Sequence, residues 1–310
     1  MRIPRRHAPG RSNLVEVGDV SLPSPRTQLI DRAKLAHSPD QTHFNASLIR
    51  FKKRLLLAYR VGTSGSRVHV AALDDNLNPV ASVPLLLRHS QSIAGQEDPR
   101  LFVHNGNLYC SFVGVEFVRP GEPRTSQMLA RLSDDLRVEE IVSPALDGRQ
   151  HWEKNWVFFS ALGELWSVYQ IDPHIVLHHR GSDAHTFAEV DWKLIWDGGL
   201  LRGGAPPVLV GEEFYHWFHG RKVLGSITTY NTGVYTFEAK PPFKPLRVTP
   251  LPVQWPDHER MTPGDWKSVT FCCGSLLENG KWLVSYGQHD REIGVAEFDF
   301  DEVEKAMVKV

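Results

Sequence analysis

Residues 97–114 read Glu97-Asp98-Pro99-Arg100-Leu101-Phe102-Val103-His104-Asn105-Gly106-Asn107-Leu108-Tyr109-Cys110-Ser111-Phe112-Val113-Gly114. Polar residues open a short apolar run, Asn105-Gly106 interrupts it, and a second, aromatic-rich run closes the stretch. An Asn-Gly pair supplies the two positive φ values that a two-residue turn requires, which makes it a strong local sign of a β-hairpin. The unit is therefore a hairpin rather than a helix pair.

The same unit recurs. Its other copies run from His43-Phe44-Asn45 to Arg60, from Glu153-Lys154-Asn155 to Gln170, from Gly203-Gly204-Ala205-Pro206-Pro207 to Gly220, and from Phe271-Cys272-Cys273-Gly274 to Asp290. Asn279-Gly280 repeats the turn signal in the last copy. Second strands carry Tyr59, Phe112, Tyr169, Phe218 and Tyr286, at steps of roughly 50 to 70 residues, close to the length of a propeller blade. The expected fold is all-β, a five-bladed β-propeller; spacing alone fits an all-β sandwich as well.

A chain of 310 residues with formal net charge −1 has material for a large core and no broad attraction for nucleic acid. A small neutral substrate suits it better than a polyanion. No apolar run follows the basic start Met1-Arg2-Ile3-Pro4-Arg5-Arg6, so no secretory signal is expected, and no segment reaches membrane-spanning length. The three cysteines include the adjacent pair Cys272 and Cys273, which argues against a disulfide framework and for the cytoplasm.

Residues 1–40 are rich in proline and poor in apolar runs, and read as an extended amino-terminal arm. Arms of this kind pack on neighbours, so a homo-oligomer formed through it is one expectation. Residues 41–310 hold the repeats and end in a short helix introduced by Asp299 and Asp301. The Pro- and Gly-containing stretch from Val118 to Thr125 reads as a long surface loop, and Pro241 to Trp266 as a second.

In a propeller the first strand of each blade lines the central channel, so the polar unit starts converge there. They supply Asn45, Glu97, Asp98, Arg100, Glu153, Lys154 and Asn155, and the second strands end on Arg60, His219, His289 and Asp290. Carboxylates, cations and imidazoles together serve proton transfer and sugar binding. Taken alone, Glu97-Asp98-Pro99-Arg100 also fits a surface ion pair between Glu97 and Arg100. In Tyr215-His216-Trp217-Phe218-His219, alternation puts His216 and His219 on opposite faces, and His216 reads as a hydrogen-bonded packing residue. His174, His178 and His179 lack a carboxylate or cysteine at metal-ligand spacing, so no metal site is expected. No nucleophile elbow or phosphate-loop signature is present.

In their order, Phe44-Asn45, Tyr59-Arg60, Glu97-Asp98-Pro99-Arg100, Phe218-His219-Gly220 and Tyr286-Gly287-Gln288-His289-Asp290 resemble glycoside hydrolase family 130, the β-mannoside phosphorylases and some β-1,2-mannosidases. The resemblance spans about residues 43 to 300. It implies a five-bladed propeller in which Asp98 is the sole protein acid and passes its proton to the glycosidic oxygen through a sugar hydroxyl. It further implies that Asn45, Arg60, Arg100 and Asp290 hold the sugar of a small oligosaccharide. His219 and Tyr230 would contact inorganic phosphate, the attacking co-substrate; no other cofactor is implied. A phosphate dianion attacks without a protein base, so one carboxylic acid suffices.

Two departures bear on the phosphate. Where the phosphorylases usually show Arg-Asp, this chain has Glu153-Lys154-Asn155-Trp156, and Lys154 replaces a forked ligand with a point charge. Where they show Pro-Ile-Lys-Thr, it has Pro207-Val208-Leu209-Val210, without the cation. Glu153 thus opens an alternative, inverting hydrolysis with Glu153 activating water. Mannosyl transfer from a sugar phosphate, as in the related glycosyltransferase family 108, and a non-catalytic sugar-binding propeller are the other readings.

Overall fold

Asn105-Gly106 makes the turn its chemistry demands, with φ of 47° and 75°, and Asn279-Gly280 repeats it at 51° and 72°. These hairpins belong to a computed structural model that describes residues 21–35, 41–87, 93–148, 150–192, 194, 196, 198–255 and 267–310. The described chain is all-β apart from the single-turn helix Arg32–Lys34 and the helix Phe300–Ala306. Asp299 caps the latter by accepting from the Asp301 amide at 3.1 Å, and Val303 and Ala306 anchor it in the core.

Antiparallel meanders follow one another along the sequence. The first is His43–Phe51, Arg54–Val61, Arg67–Leu73 and Pro79–Pro84, and the second Ile93–His104, Asn107–Arg119, Glu122–Leu132 and Val138–Val142. The third is Val157–Ala161, Glu164–Gln170, His174–Arg180 and Asp183–Val190, with Ala145–Leu146 added in parallel at its edge. The fourth centres on Glu213–Leu224 and Ile227–Glu238, flanked by Leu200–Arg202, Val208–Val210 and Pro245–Val248. The fifth is Lys267–Glu278, Lys281–Gln288 and Glu292–Asp299, and a short parallel pairing of Thr228–Tyr230 with Lys267–Val269 joins the last two into a ten-stranded sheet.

The described part of the amino-terminal arm enters this architecture. Arg26–Leu29 pairs antiparallel with Val295 and its neighbours as the outer strand of the fifth meander, and Leu22, Ile30 and Leu35 are buried. A strand from the chain start thus completes a sheet made by the chain end. Residues 1–20 and 36–40, on which the rest of the arm falls, lie outside the described residues, as do residues 256–266 of the second expected loop.

The expected surface loop from Val118 to Thr125 is instead a hairpin. Arg119 pairs with Glu122, so only Pro120 and Gly121 form the turn, with Gly121 at φ 80°. Proline followed by glycine is the chemistry of a tight turn, and the strands run straight through the residues that read as loop.

Apolar side chains fill the spaces between successive meanders. Leu56 and Val70 of the first face Leu101 and Phe112 of the second, and Phe102 and Leu129 of the second meet Phe158 and Leu177 of the third. Phe159 and Val176 meet Phe214 and Phe218 of the fourth, and Trp217 and Val234 meet Trp282 and Phe298 of the fifth. Finally Ile293 and Val295 of the fifth pack on Leu48 and Leu57 of the first.

Candidate active site

The polar unit starts are irregular for a reason. Strand register slips between Phe44 and Ser47 in the first meander and between Glu97 and Arg100 in the second, and Asn45 and Asp98 sit at those slips with φ of 50° and 51°. Asn155, just before Val157–Ala161, has φ of 64°. A bulge adds one residue, bends the strand and re-aims a side chain; Asn and Asp tolerate the left-handed conformation that this requires. His289 and Asp290, where the fifth meander turns, show the same conformation at 53° and 55°.

Asp98 is the hub of the resulting cluster. Asn45 Nδ2 donates to its Oδ1 at 2.8 Å, and Arg60 approaches the same oxygen at 3.7 Å. Burial opposes its ionisation, but Arg60, Lys154 and Arg100, with the Asn45 hydrogen bond, hold the carboxyl below its usual range. Glu97 is clamped beside it: Arg60 donates to Oε1 at 3.0 Å and Lys154 Nζ to Oε2 at 2.7 Å. The alternative of a surface pair between Glu97 and Arg100 is thereby excluded, because Glu97 faces two other units and Arg100 is 0% exposed.

Arg100 fastens the second meander to its neighbours. Nε donates to the Gly204 carbonyl at 2.6 Å, a terminal nitrogen to Asn155 Oδ1 at 3.0 Å, and the other to the Asp98 carbonyl at 3.0 Å. Gly203 and Gly204 are required for this approach. A Cβ on Gly204 would lie 2.3 Å from the Trp217 carbonyl, and one on Gly203 2.3 Å from the Asn155 carbonyl. Behind Gly204 runs a buried polar chain. The Gly204 amide donates to His216 Nε2 at 3.3 Å, His216 Nδ1 lies 3.1 Å from Tyr235 Oη, and Tyr235 Oη lies 3.5 Å from His174 Nδ1. His216 is thus the hydrogen-bonded packing residue that its place in the strand predicts.

His219 stacks 4.4 Å from the Phe271 ring centre and 5.6 Å from Tyr230, and Arg100 lies 5.8 Å from Phe271. Burial, with Arg100 beside it, pushes the imidazole down to about 3, so His219 is neutral and offers one donor and one acceptor nitrogen. Its Nδ1 is buried with no hydrogen-bond partner among the described residues. Asp290 and Asp98 both bear electrostatically on the buried Cys273 thiol, which burial pushes up. This places both carboxylates near one core residue.

Among the described residues Glu153 shares no hydrogen bond or ion pair with Asp98. Its oxygens accept from Trp156 Nε1 at 2.9 Å and from the Gln150 amide, and after burial its charge is the next cause that raises the Tyr169 hydroxyl pKa. The residue that sequence reasoning missed is Arg202. It lines a recess of about 140 Å³ together with Lys154, Asn155, Tyr169 and Gln170; an arginine directly before the double glycine of a unit start was the available signal. A larger recess of about 910 Å³ lies elsewhere, lined by Arg50, Asp75, Glu278 and Lys281, whose charges are already joined in ion pairs.

The histidine trio does not converge. His174 turns to Tyr235, His178 stacks 4.2 Å from Trp166, and His179 Nε2 contacts Ser167 Oγ at 2.8 Å.

An all-β scaffold that gathers a buried carboxyl, arginines, side-chain amides and neutral imidazole at the starts of successive sheets defines a carbohydrate-active enzyme. Residues 30–309 match the family model described as glycosyl hydrolase 130, β-1,4-mannooligosaccharide phosphorylase. The chain belongs to glycoside hydrolase family 130. A β-1,2-mannobiose phosphorylase of Thermoanaerobacter sp. (strain X514) is 26% identical over 108 residues, and the match spans 35% of each chain. The fold is shared with the β-1,2-mannobiose phosphorylase of Listeria innocua, solved with β-1,2-mannobiose (TM-score 0.67, 14% identity, 90% of this chain and 98% of that one). It is shared also with a mannose phosphorylase of Leishmania mexicana in complex with phosphate ion (TM-score 0.60, 12% identity, 92% of each chain).

Proposed function

We propose that this chain is an inverting β-mannoside phosphorylase built on a five-bladed propeller. The five meanders would be the blades, a reading supported by the apolar contacts that run from each to the next and from the fifth back to the first.

Asp98 is the acid. Its proton passes through a sugar hydroxyl to the glycosidic oxygen as the bond from that oxygen to C1 breaks. A phosphate oxygen forms the new bond to C1 from the opposite face, giving mannose 1-phosphate and leaving Asp98 ionised until it regains a proton. Asn45, Arg60 and Asp290 hold the mannosyl unit, with Arg100 buried behind them and locking the main chain in place, and Lys154, His219 and Tyr230 hold the phosphate.

One observation carries the choice of phosphate over water: the carboxylates beside Asp98 are already engaged. Arg60 and Lys154 bridge Glu97, and Trp156 and the Gln150 amide donate to the two oxygens of Glu153. A carboxylate whose oxygens are each held by a donor is a weaker base for water than a free one, whereas phosphate brings its own nucleophilic oxygen. Synthesis of mannosides from mannose 1-phosphate is the same reaction reversed.

No helix among the described residues is long and apolar enough to cross a membrane. A cytoplasmic location belongs to the same proposal and rests on cysteine usage, Cys110, Cys272 and Cys273 being free thiols.

The test is product analysis. β-Mannosides of several linkages incubated with phosphate should yield mannose 1-phosphate. Free mannose released equally fast in phosphate-free buffer would overturn phosphorolysis in favour of hydrolysis.

A further inference from the structure

We infer that Arg202 is the forked anion ligand of this site and that, facing Lys154 across the small recess, it holds a phosphoryl dianion. This rests on the phosphorylase reading and adds to it a residue outside the motifs that the family resemblance covers.

The placement follows from the backbone. Arg202 ends the strand Leu200–Arg202, where it pairs in register with His219, and the next residue, Gly203, gives its carbonyl to Arg100 at 3.3 Å. The main chain that locks Arg100 therefore also fixes the base of Arg202. From there its side chain lines the recess with Lys154 and Asn155, and Asn155 is the residue to which Arg100 donates.

Among the described arginines, Arg50, Arg60, Arg131 and Arg247 pair with a carboxylate, while Arg54, Arg67 and Arg100 bond carbonyl or amide oxygens instead. Arg202 has only a hydrogen bond to the Leu201 carbonyl at 3.2 Å and no carboxylate partner among the described residues. The side chain is exposed to solvent; partial desolvation at the recess and the charge of Arg221 lower its pKa, and Tyr230 opposes that shift.

Glu153 also lines the recess, but its oxygens take hydrogen bonds from Trp156 and Gln150 in the wall.

A guanidinium presents two parallel donors that match two phosphate oxygens, which the Lys154 ammonium does not. Arg202 thus supplies the fork missing at Lys154. The dianion is either inorganic phosphate or the phosphoryl group of a sugar 1-phosphate, since both present the same oxygens.

The experiment compares wild type with Arg202→Met and Arg202→Lys. Phosphorolysis is titrated with inorganic phosphate, synthesis with mannose 1-phosphate, and inorganic phosphate binding is measured by calorimetry. Loss of charge-assisted bonds should raise the KM for the phosphoryl ligand about ten- to a hundredfold in Arg202→Met. Arg202→Lys should fall between, with the KM for the mannoside unchanged.

Weakening of both ligands assigns Arg202 to the shared phosphoryl position; weakening of one alone assigns it to that source. An unchanged KM for both, in variants that melt like wild type, overturns the inference while the phosphorylase reading stands. Phosphate-independent turnover by wild type overturns that reading itself. If Arg202→Met does not fold, the calorimetric affinity of Arg202→Lys decides.

Discussion

Asn45 and Asp98, 53 residues apart, meet through a 2.8 Å hydrogen bond from Nδ2 to Oδ1, each at a positive φ in the first strand of its own meander. The bulges that turn these side chains aside from the ladder are what bring them together. Replacing Asp98 with Asn keeps the shape and removes the proton. Turnover should fall by about 10²-fold or more, with sugar affinity retained, as measured by steady-state kinetics and calorimetry with the intact disaccharide. A fall in affinity without loss of turnover would show that Asp98 binds rather than protonates.

Asp98 is held ionised by cations, yet the proposed reaction needs it protonated. Its carboxyl lies below the usual range because Arg60, Lys154 and Arg100, with the Asn45 bond, outweigh burial. Phosphate bound beside Lys154, as proposed, would cancel part of that field, so that the acid would gain its proton as the nucleophile arrives. Lys154→Met removes one of the stabilising charges and should move the Asp98 titration up. Activity, which requires the protonated form, then persists to higher pH in the variant than in wild type. The pH profile of kcat at saturating phosphate measures it; a basic limb that stays in place or moves down contradicts the coupling.

Much of this was open to reading before any coordinates. The Asn-Gly turns announced hairpins because no other common dipeptide supplies two positive φ values so readily, and Asp98 stood out because it opened a repeated strand. The partners did not. Glu97 lies next to Asp98 in sequence, but its ion pairs reach Arg60 and Lys154 in the neighbouring meanders, and no local pattern encodes a contact made between sheets. Arg202 was hidden for the same reason: its meaning comes from pairing with His219 and sharing a recess with Lys154. Pro120-Gly121 misled in the opposite sense, since turn residues mark where strands reverse and not how long the connection is.

The buried chain from His174 through Tyr235 and His216 to the Gly204 amide touches no substrate, but Gly204 carries the carbonyl that receives Arg100. His216→Leu leaves the Gly204 amide unpaired in the core and the Tyr235 hydroxyl with only its 3.5 Å contact to His174, at a cost of about 1–3 kcal/mol for the amide. His216→Gln keeps an acceptor for one and a donor for the other. The expectation is that Leu lowers both the melting temperature and kcat, that Gln restores most of each, and that KM for phosphate changes little. Equal loss in both variants would mean that volume, not the hydrogen bonds, is what His216 provides.

Acid should unfold this protein early, and the histidines give the sign. Burial pushes His174, His179 and His219 down to about 3 and His216 well below its usual value. Below the ordinary histidine pKa of about 6.5 the unfolded chain takes up these protons and the folded chain does not. Stability is therefore full above that pH and lost as pH falls toward 3, each such histidine contributing at most about 1.4 kcal/mol per pH unit. The depressed Asp98 acts in the same direction lower down, contributing stability above the unfolded carboxylate value of about 3.9 that is lost as pH falls through its folded value. Urea titrations at pH 8.5, 7.5, 5.5 and 4.5 should show a midpoint that is nearly flat between the first two and then drops steeply. His179→Gln, outside the Asp98 cluster, should make that drop shallower by about one proton's worth of slope. A midpoint independent of pH down to 4.5 would mean that these rings find protons in the folded state.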